Sequence, residues 1–185
     1  AGAFCKLIHV VINCWSNIKP DKAFASSFNL EYFMAGGYDD RPRMDDKYFI
    51  YYHWMTGGHG GMHARDGRDA TMPLFGMGCT NQSIEMKERQ WPVTLTHFSH
   101  KTDGMGAGEF RGGCGLDSAL RIDNGGGVIM SYCGDRGKFG PGGPPGLFGG
   151  QRGIHQGVNH NPGRPNEKWL DTMFSAVPVE KDDIL

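Results

Sequence analysis

The sequence predicts an α+β fold, mainly β, in which an antiparallel sheet with long ordered glycine-rich loops follows an N-terminal helix. Two patterns indicate this class. After residue 47, short runs of β-branched and aromatic residues alternate with glycine turns, as in antiparallel sheets. Before residue 20, apolar residues recur every three or four positions, which is the helical period. The chain of 185 residues is long enough for a core of its own, and we expect one domain-like piece, 1–185.

The N-terminal helix is predicted over residues 1–19, and it ends before Pro20, whose ring cannot continue a helix. One face of this helix collects large apolar side chains, namely Phe4, Ile8, Val11, Trp15 and Ile18. Because tertiary burial stabilises most helices in proteins, we interpret this face as core packing.

A loop or weak hairpin is predicted next, over residues 25–44, where a glycine pair precedes a charged turn around Pro42. The aromatic run Tyr48–Trp54 predicts a strand that leads into GGHGGMHARDG, a loop with two histidines and an Arg-Asp pair. Polar groups on a loop that a rigid strand positions are typical of a functional site. Residues 68–88 predict extended chain, since IEMKER is too short to predict a helix.

Three further strands are predicted in the second half of the chain. VTLTHFSHK alternates with period two, so that Val93, Leu95 and His97 share one side. LDSALRID and VIMSYC are the other two, and glycine turns separate them. Beyond Gly134, the run GDRGKFGPGGPPGLFGGQRG predicts no regular structure.

Composition argues against several classes of function. A formal net charge of -1 and a pI near 6.8 provide no electrostatic footprint for nucleic acid or an anionic membrane. No apolar run approaches the roughly 20 residues that span a bilayer. The five cysteines are scattered without a Cys-x-x-Cys pair, which disfavours a disulfide scaffold. Since no secretory pattern is visible at the N-terminus, we predict a cytoplasmic location.

The two histidines of the glycine loop after Trp54 are candidates for a metal site, which we do not favour. His59 and His63 are four residues apart, a spacing that binds zinc when both lie on one helix. The glycines on either side of His59 disfavour a helix, so we predict no metal bound by this chain and expect His59 to line a pocket. The other glycine runs lack the P-loop pattern, and no nucleophile motif occurs, so no catalytic residue is assigned.

Charged residues recur inside the glycine loops at strand ends. They are Asp66, Arg111 and the pair Asp135 and Arg136. Two interpretations remain open for them. They are either solvated, as most loop charges are, or they form a pairing network that orders the loops, since the planar guanidinium of arginine binds a carboxylate by two bonds.

The order of YYHWMTGGHGGMHARDGRDA, NQSIEMKERQWPV, DGMGAGEFRGGCGL and GDRGKFGPGGPPGLFGGQRG resembles the C-terminal third of hydantoinase B subunits. This family includes 5-oxoprolinase and the large subunits of acetone- and acetophenone-carboxylase-type enzymes. The resemblance covers residues 48–153 and places Glu85, Arg111 and Arg136 at motif positions. The chain departs from the family pattern in two segments, where SGG reads GMG at residues 104–106 and NTP reads NQS at 81–83.

The resemblance implies a subunit of a multi-subunit, ATP-dependent hydantoinase B-type enzyme that is not active alone. It favours carboxylation of a ketone. Hydrolysis of a cyclic amide, such as a hydantoin or 5-oxoproline, and a non-catalytic structural role remain alternatives. It further implies that the chain itself binds no cofactor, that ATP and a divalent metal lie on partner subunits, and that the partners are the other subunits of a hydantoinase A/B-type complex. In this reading Asp66, Glu85, Arg111, Asp135 and Arg136 order the loops or line the site.

Overall fold

Two α-helices and eight strands, with two short 3-10 helices at Pro20–Lys22 and Leu147–Gly149, make up the regular part of the structure, a computed structural model that describes residues 2–27, 31–44, 47–71, 80–135 and 143–185. In chain order the α-helices and strands are α1 (Gly2–Ser16), β1 (Glu31–Asp39), β2 (Lys47–Trp54), α2 (Ile84–Gln90), β3 (Val93–His100), β4 (Leu116–Ile122), β5 (Val128–Gly134), β6 (Val158–His160), β7 (Lys168–Leu170) and β8 (Met173–Val179). The predicted class, α+β and mainly β, is confirmed.

The strands form one four-stranded sheet and two hairpins, all antiparallel. The sheet has the order β2-β1-β5-β8, and β3 pairs with β4 as β6 pairs with β7. Alternate residues of the sheet point inward, as the strand period requires. Together with the β3–β4 hairpin they bury a core that includes Phe33, Tyr51, Met130, Tyr132, Val93, Leu120 and Ile122.

Strand β1 corrects the prediction of a loop or weak hairpin over residues 25–44. The strand is central in the sheet, and it pairs with β2 on one side and β5 on the other. Its two glycines are not turn residues. A Cβ on Gly37 would lie 2.9 Å from the carbonyl oxygen of Gly127, and one on Gly36 would lie 3.3 Å from that of Phe49. Glycine inside a strand therefore marks a close approach of neighbouring backbone here.

Helix α1 confirms the predicted helix but contradicts the interpretation of its apolar face. Phe4 and Trp15 are each 60% exposed, and Ile18, just beyond the helix, is 75% exposed. The inward face instead carries the smaller or polar residues Cys5 and His9. Periodicity shows that a helix has an apolar face, but it does not show which part of a protein covers that face. Within the described chain, this face is left uncovered.

Helix α2 corrects the prediction of extended chain up to residue 88. Ser83 caps the helix, and its side chain accepts a hydrogen bond from the amide of Met86 at 3.4 Å. A serine cap satisfies one of the free amides of the first turn, which supports even a seven-residue helix. Residues 72–79 of the same predicted segment lie outside the described residues.

The other predicted strands are confirmed as β2, β3, β4 and β5, with a bulge in β3 between Leu95 and His97. The short strands β6 and β7 and the seven-residue strand β8 were not predicted. Neither described helix has the length and apolar character needed to cross a membrane. Four cysteines, Cys5, Cys14, Cys114 and Cys133, are free thiols, whereas Cys79 lies outside the described residues.

Candidate functional site

Three glycine-rich loops converge beside the inner face of the main sheet. They are residues 55–71 after β2, residues 101–115 between β3 and β4, and the described residues 143–157 before β6. Together with the ends of β1, β4 and β5 they line a cavity of about 1480 Å³. The cavity is large enough for an organic substrate, since ligand pockets typically measure about 300–1,000 Å³. We regard it as the candidate site.

The loops are held to one another by backbone hydrogen bonds. The amide of Gly113 donates to the carbonyl of His59 at 2.8 Å, and that of Gly67 donates to the carbonyl of Arg111 at 2.8 Å. The third loop joins them, because Gln151 donates to Ala107 at 2.8 Å. Buried backbone groups need such partners, so these bonds define the wall of the cavity.

Glycine is required where these backbones cross. A Cβ on Gly113 would lie 1.9 Å from the carbonyl oxygen of Arg68, and one on Gly58 would lie 1.8 Å from that of Gly113. No real Cβ makes such contacts, and the atoms it would meet are backbone rather than flexible side chains. The glycine content of this region therefore reflects tight backbone packing instead of flexible linkage.

Arg111 joins the first two loops through two carboxylates. Its Nη1 and Nη2 donate to the two oxygens of Asp69 at 2.9 and 3.3 Å, and its amide donates to Asp66 Oδ1 at 2.9 Å. Asp69 also accepts the amide of Cys114 at 2.7 Å. The hydrogen bond from Arg111 and then that from Cys114 lower the pKa of the Asp69 carboxyl to about 2. These loop charges are therefore paired with one another, as in the second interpretation, and their side chains are also largely exposed to solvent, as in the first.

His59 is buried in the first loop, whereas His63 is exposed. Its Nδ1 donates to the carbonyl oxygen of Gly60 at 2.8 Å, and its ring lies 4.7 Å from that of Phe24. Burial lowers the pKa of His59, so the ring is neutral near pH 7. His59 lines the cavity as a packed, uncharged side chain.

The remaining residues singled out from the sequence lie in different places. Asp135 lines the cavity, where its Oδ1 accepts a bond from Lys6 of α1 at 2.9 Å and its Oδ2 is buried without a hydrogen-bond partner among the described residues. Glu85 lies on the exposed surface of α2, away from the cavity lining. Arg136 lies outside the described residues.

Glu31 and His53 are among the titratable groups that line the cavity but were not singled out from the sequence. Glu31 begins β1, and the hydroxyl of Tyr132 on β5 donates to its Oε1. Burial raises the pKa of the Glu31 carboxyl to about 7. A pattern in the sequence could have identified this residue. In EYFMAGGYD the inward positions of the strand begin with Glu31 and continue with Phe33 and Ala35, so a carboxylate occupies a position on a buried face.

A second polar group lies one strand away on the same sheet face. His53 is opposite Phe33, which is in turn opposite Tyr132. The Nδ1 of His53 lies 2.8 Å from the hydroxyl of Tyr51, and its Nε2 lies 3.4 Å from Ser118 Oγ. Burial, with a smaller effect of Lys87, lowers the pKa of His53 to about 4. His53 is therefore a neutral hydrogen-bonding group near pH 7.

The cavity offers proton-transfer groups but no activated thiol. Burial and the neighbouring Asp69 raise the pKa of the Cys114 thiol, which disfavours the reactive thiolate. Within the ranges that the structure describes, no three His, Cys, Asp or Glu side chains come together in a way that could hold a metal ion. The described side chains of the cavity therefore include groups suited to binding and proton transfer.

Replacing Arg111 by Lys keeps the positive charge and removes the two-bond contact with Asp69. We expect weaker ordering of both loops, seen as faster hydrogen–deuterium exchange at the amides of Arg111 and Cys114, with turnover falling in parallel. Because the pair is exposed, the melting temperature should change little. A Lys variant with unchanged exchange but no turnover would instead make Arg111 a catalytic residue.

A family model described as hydantoinase B/oxoprolinase matches residues 2–185 of the chain. The beta subunit of caprolactamase from Pseudomonas jessenii is 34% identical to it over 97 residues, which is 52% of this chain and 17% of the relative.

Two solved structures share the fold. Acetone carboxylase in its nucleotide-free form, an enzyme of ATP-dependent acetone carboxylation, gives a TM-score of 0.68 at 15% identity and is matched over 95% of this chain and 28% of that one. The ATP-dependent caprolactamase from Pseudomonas jessenii gives 0.64 at 21% identity, over 91% and 29%. At these identities the likeness shows the fold alone. The chain spans less than a third of the length of these relatives.

Proposed function

The chain belongs to the hydantoinase B/oxoprolinase family, and from this membership we propose that it is part of an ATP-dependent enzyme complex that hydrolyses a cyclic amide. One observation carries the choice of substrate class. The chain is 34% identical over 97 residues to a subunit of an enzyme named caprolactamase, and caprolactam is a cyclic amide. Ketone carboxylation, predicted from the sequence, is the second candidate and stays a prediction.

The cavity suits an activity of this class. Its volume of about 1480 Å³ accommodates a small cyclic compound, and its lining offers neutral and acid–base groups rather than an activated nucleophile. Amides are poor electrophiles, so a site of this kind needs an activating group from elsewhere. In the proposed enzyme that group is ATP.

We propose that ATP and a divalent metal bind to partner subunits of a hydantoinase A/B-type complex. The described residues of this chain do not fit either group. They bring together no metal-ligand set, and the glycine runs lack the strand–loop–helix context that cradles phosphate.

Two exposed apolar surfaces support the presence of partners. One is the outer face of α1, and the other is the outer face of the main sheet, where Tyr38 is 64% exposed and Ile50 is 56% exposed. Contiguous exposed apolar surface usually marks an interface with another protein surface. We assign both faces to contacts with other polypeptide in the complex.

The proposal is tested by purifying the chain with the proteins that co-purify and supplying ATP with caprolactam, hydantoin or 5-oxoproline. We expect ATP consumption that depends on one of these compounds, together with a ring-opened product identified by mass spectrometry. The chain alone should be inactive. ATP consumption with acetone and bicarbonate, giving a carboxylated product, would replace the proposal by the second candidate. An assembled complex whose activity is unchanged without this chain would make the chain a structural subunit.

A further inference from the structure

Glu31 is placed where a substrate in the cavity could reach its carboxyl group. In the register of the sheet it is opposite Gly134, which has no side chain, and the side chains of Tyr132 and Gln156 lie beside that glycine. Tyr132, two residues before Gly134, holds Oε1 through its hydroxyl. Among the described residues, the second oxygen, Oε2, has no hydrogen-bond partner, and both residues line the cavity.

The surroundings of Glu31 do not neutralise its charge. No ion pair with a cation involves Glu31 in the described ranges, and the charged group that affects its pKa is Asp117 on β4, whose carboxylate is paired with Lys101 at 3.0 Å. Burial raises the pKa of Glu31, Asp117 raises it further, and the Tyr132 bond opposes them, which leaves it at about 7. The other titratable or charged groups around this end of the sheet are His53 on β2, and Asp135 after β5 with its partner Lys6 on α1.

From this geometry we propose that Glu31 is a general acid–base residue that exchanges a proton with water and a carbonyl substrate in the cavity, and that Tyr132 is its positioning residue. The proposal rests on the proposed function for the identity of the substrate, a cyclic amide.

One carboxyl group, that of Glu31, can both accept and return the proton that is transferred during the hydrolysis. Oε2 accepts a proton from water as the water oxygen bonds to the carbonyl carbon, whose oxygen has received a phosphoryl group from ATP. When the C–N bond of the resulting tetrahedral carbon breaks, the ring nitrogen takes the electrons of that bond, and Glu31 gives the nitrogen the same proton. A second water releases the phosphoryl group, so that one amide, one ATP and two waters give the ring-opened amino acid, ADP and phosphate. A group with a pKa near the working pH is suited to both steps, since it must accept a proton and then release it.

The first experiment measures the titration of Glu31 without requiring turnover. Infrared difference spectra of the purified chain, in the assembly in which it is isolated, are recorded between pH 5 and pH 9. We expect a protonated carboxyl band with a midpoint near 7 that is absent in Glu31→Gln. The matched control is Glu180→Gln, an exposed glutamate after β8, which should keep the band. A band that survives in Glu31→Gln, or no band in the parent, would overturn the proposal.

The second experiment measures kcat against pH in the assembled enzyme. Loss of general acid–base catalysis in Glu31→Gln should lower kcat by about 10²–10⁴-fold and remove the limb near pH 7. Tyr132→Phe removes the bond that lowers the pKa of Glu31, so the limb should move to higher pH. Glu31→Asp should restore part of the rate and so covers the case in which the glutamine variant does not fold. An unchanged kcat and limb in Glu31→Gln would overturn the proposal.

The two proposals fail in different ways. If the carboxyl band titrates near pH 7 and disappears in Glu31→Gln, but the complex carboxylates a ketone, the acid–base assignment is supported and the cyclic amide is wrong. If a cyclic amide is hydrolysed with the same pH dependence by the parent and by Glu31→Gln, the proposed function stands and the assignment of Glu31 is wrong.

Discussion

Gly113→Ala should strongly destabilise the loop framework that lines the cavity. The new Cβ would lie 1.9 Å from the carbonyl oxygen of Arg68 and 2.5 Å from its carbonyl carbon, so backbone must move. The shift also strains the bond from the Gly113 amide to His59. Overpacking costs about 1–3 kcal/mol, occasionally more, and a lost hydrogen bond adds about 1 kcal/mol. We expect a loss of about 4 kcal/mol and, because the cavity wall moves, loss of turnover.

Thermal melting provides the measurement, because about 1 kcal/mol shifts the midpoint of a chain of this size by about 2–4 °C. Gly126→Ala is the matched control. A Cβ there meets nothing within 4 Å, so its melting midpoint should stay close to that of the parent. Both variants are compared in the same state of assembly. If Gly113→Ala melts like Gly126→Ala, the backbone crossing at Arg68 has room for a methyl group and the explanation is wrong.

Local pattern predicted four of the eight described strands, because strand period and glycine turns act over a few residues. It identified β2, β3, β4 and β5, whose inward residues alternate with outward ones. The pattern was misread in β1, since a glycine pair inside a central strand has the same sequence as a turn. The strand differs from a turn because the backbone of Gly127 and Phe49 lies close to these two glycines, and neither residue is near them in the sequence.

The apolar face of α1 shows a second limit of sequence reasoning. The helical period located the face, but burial depends on what lies opposite, and in the described chain nothing covers Phe4 or Trp15. A face of this kind has the same sequence pattern whether it packs inside its own fold or against another surface. The prediction that this face packs in the core was therefore wrong, although the sequence pattern fits both arrangements equally well.

The sequence predicted the loops around the candidate site but not all of the residues in it. The glycine loops were expected to surround functional residues, and Arg111 does join Asp66 and Asp69 across two of them. Glu31 was missed because it lies about a hundred residues before Tyr132 in the chain, and only strand pairing between β1 and β5 brings the two together. Contacts of such separation leave no local signal, although a carboxylate at an inward strand position could have been noticed.

Arg41→Met should be the most destabilising charge substitution among the described ion pairs. The Asp39 side chain is 1% exposed, and Arg41 binds it through Nε at 2.9 Å and Nη2 at 2.6 Å while donating to the carbonyl of Glu88 at 2.9 Å. Methionine keeps the apolar stem but leaves a buried carboxylate without its cation. Breaking a buried pair costs about 3–5 kcal/mol. Since Arg41 is 27% exposed, we expect the free energy of unfolding to fall by about 3 kcal/mol, which lowers the melting temperature by about 6–12 °C.

Two control variants and the pH dependence of stability test whether the unpaired Asp39 carboxylate causes the loss. Lys101→Met breaks a pair whose side chains are 41% and 46% exposed, so it should cost at most about 1 kcal/mol. Adding Asp39→Asn to Arg41→Met removes the unpaired charge and should recover much of the loss. Burial alone would raise the pKa of Asp39, but the bonds from Arg41 outweigh it and lower the pKa. The stabilisation is therefore present above the unfolded pKa near 4 and is lost as pH falls through the lower folded value. In Arg41→Met that acid-dependent loss should disappear. If the single and double variants melt alike, the missing cation is not the cause.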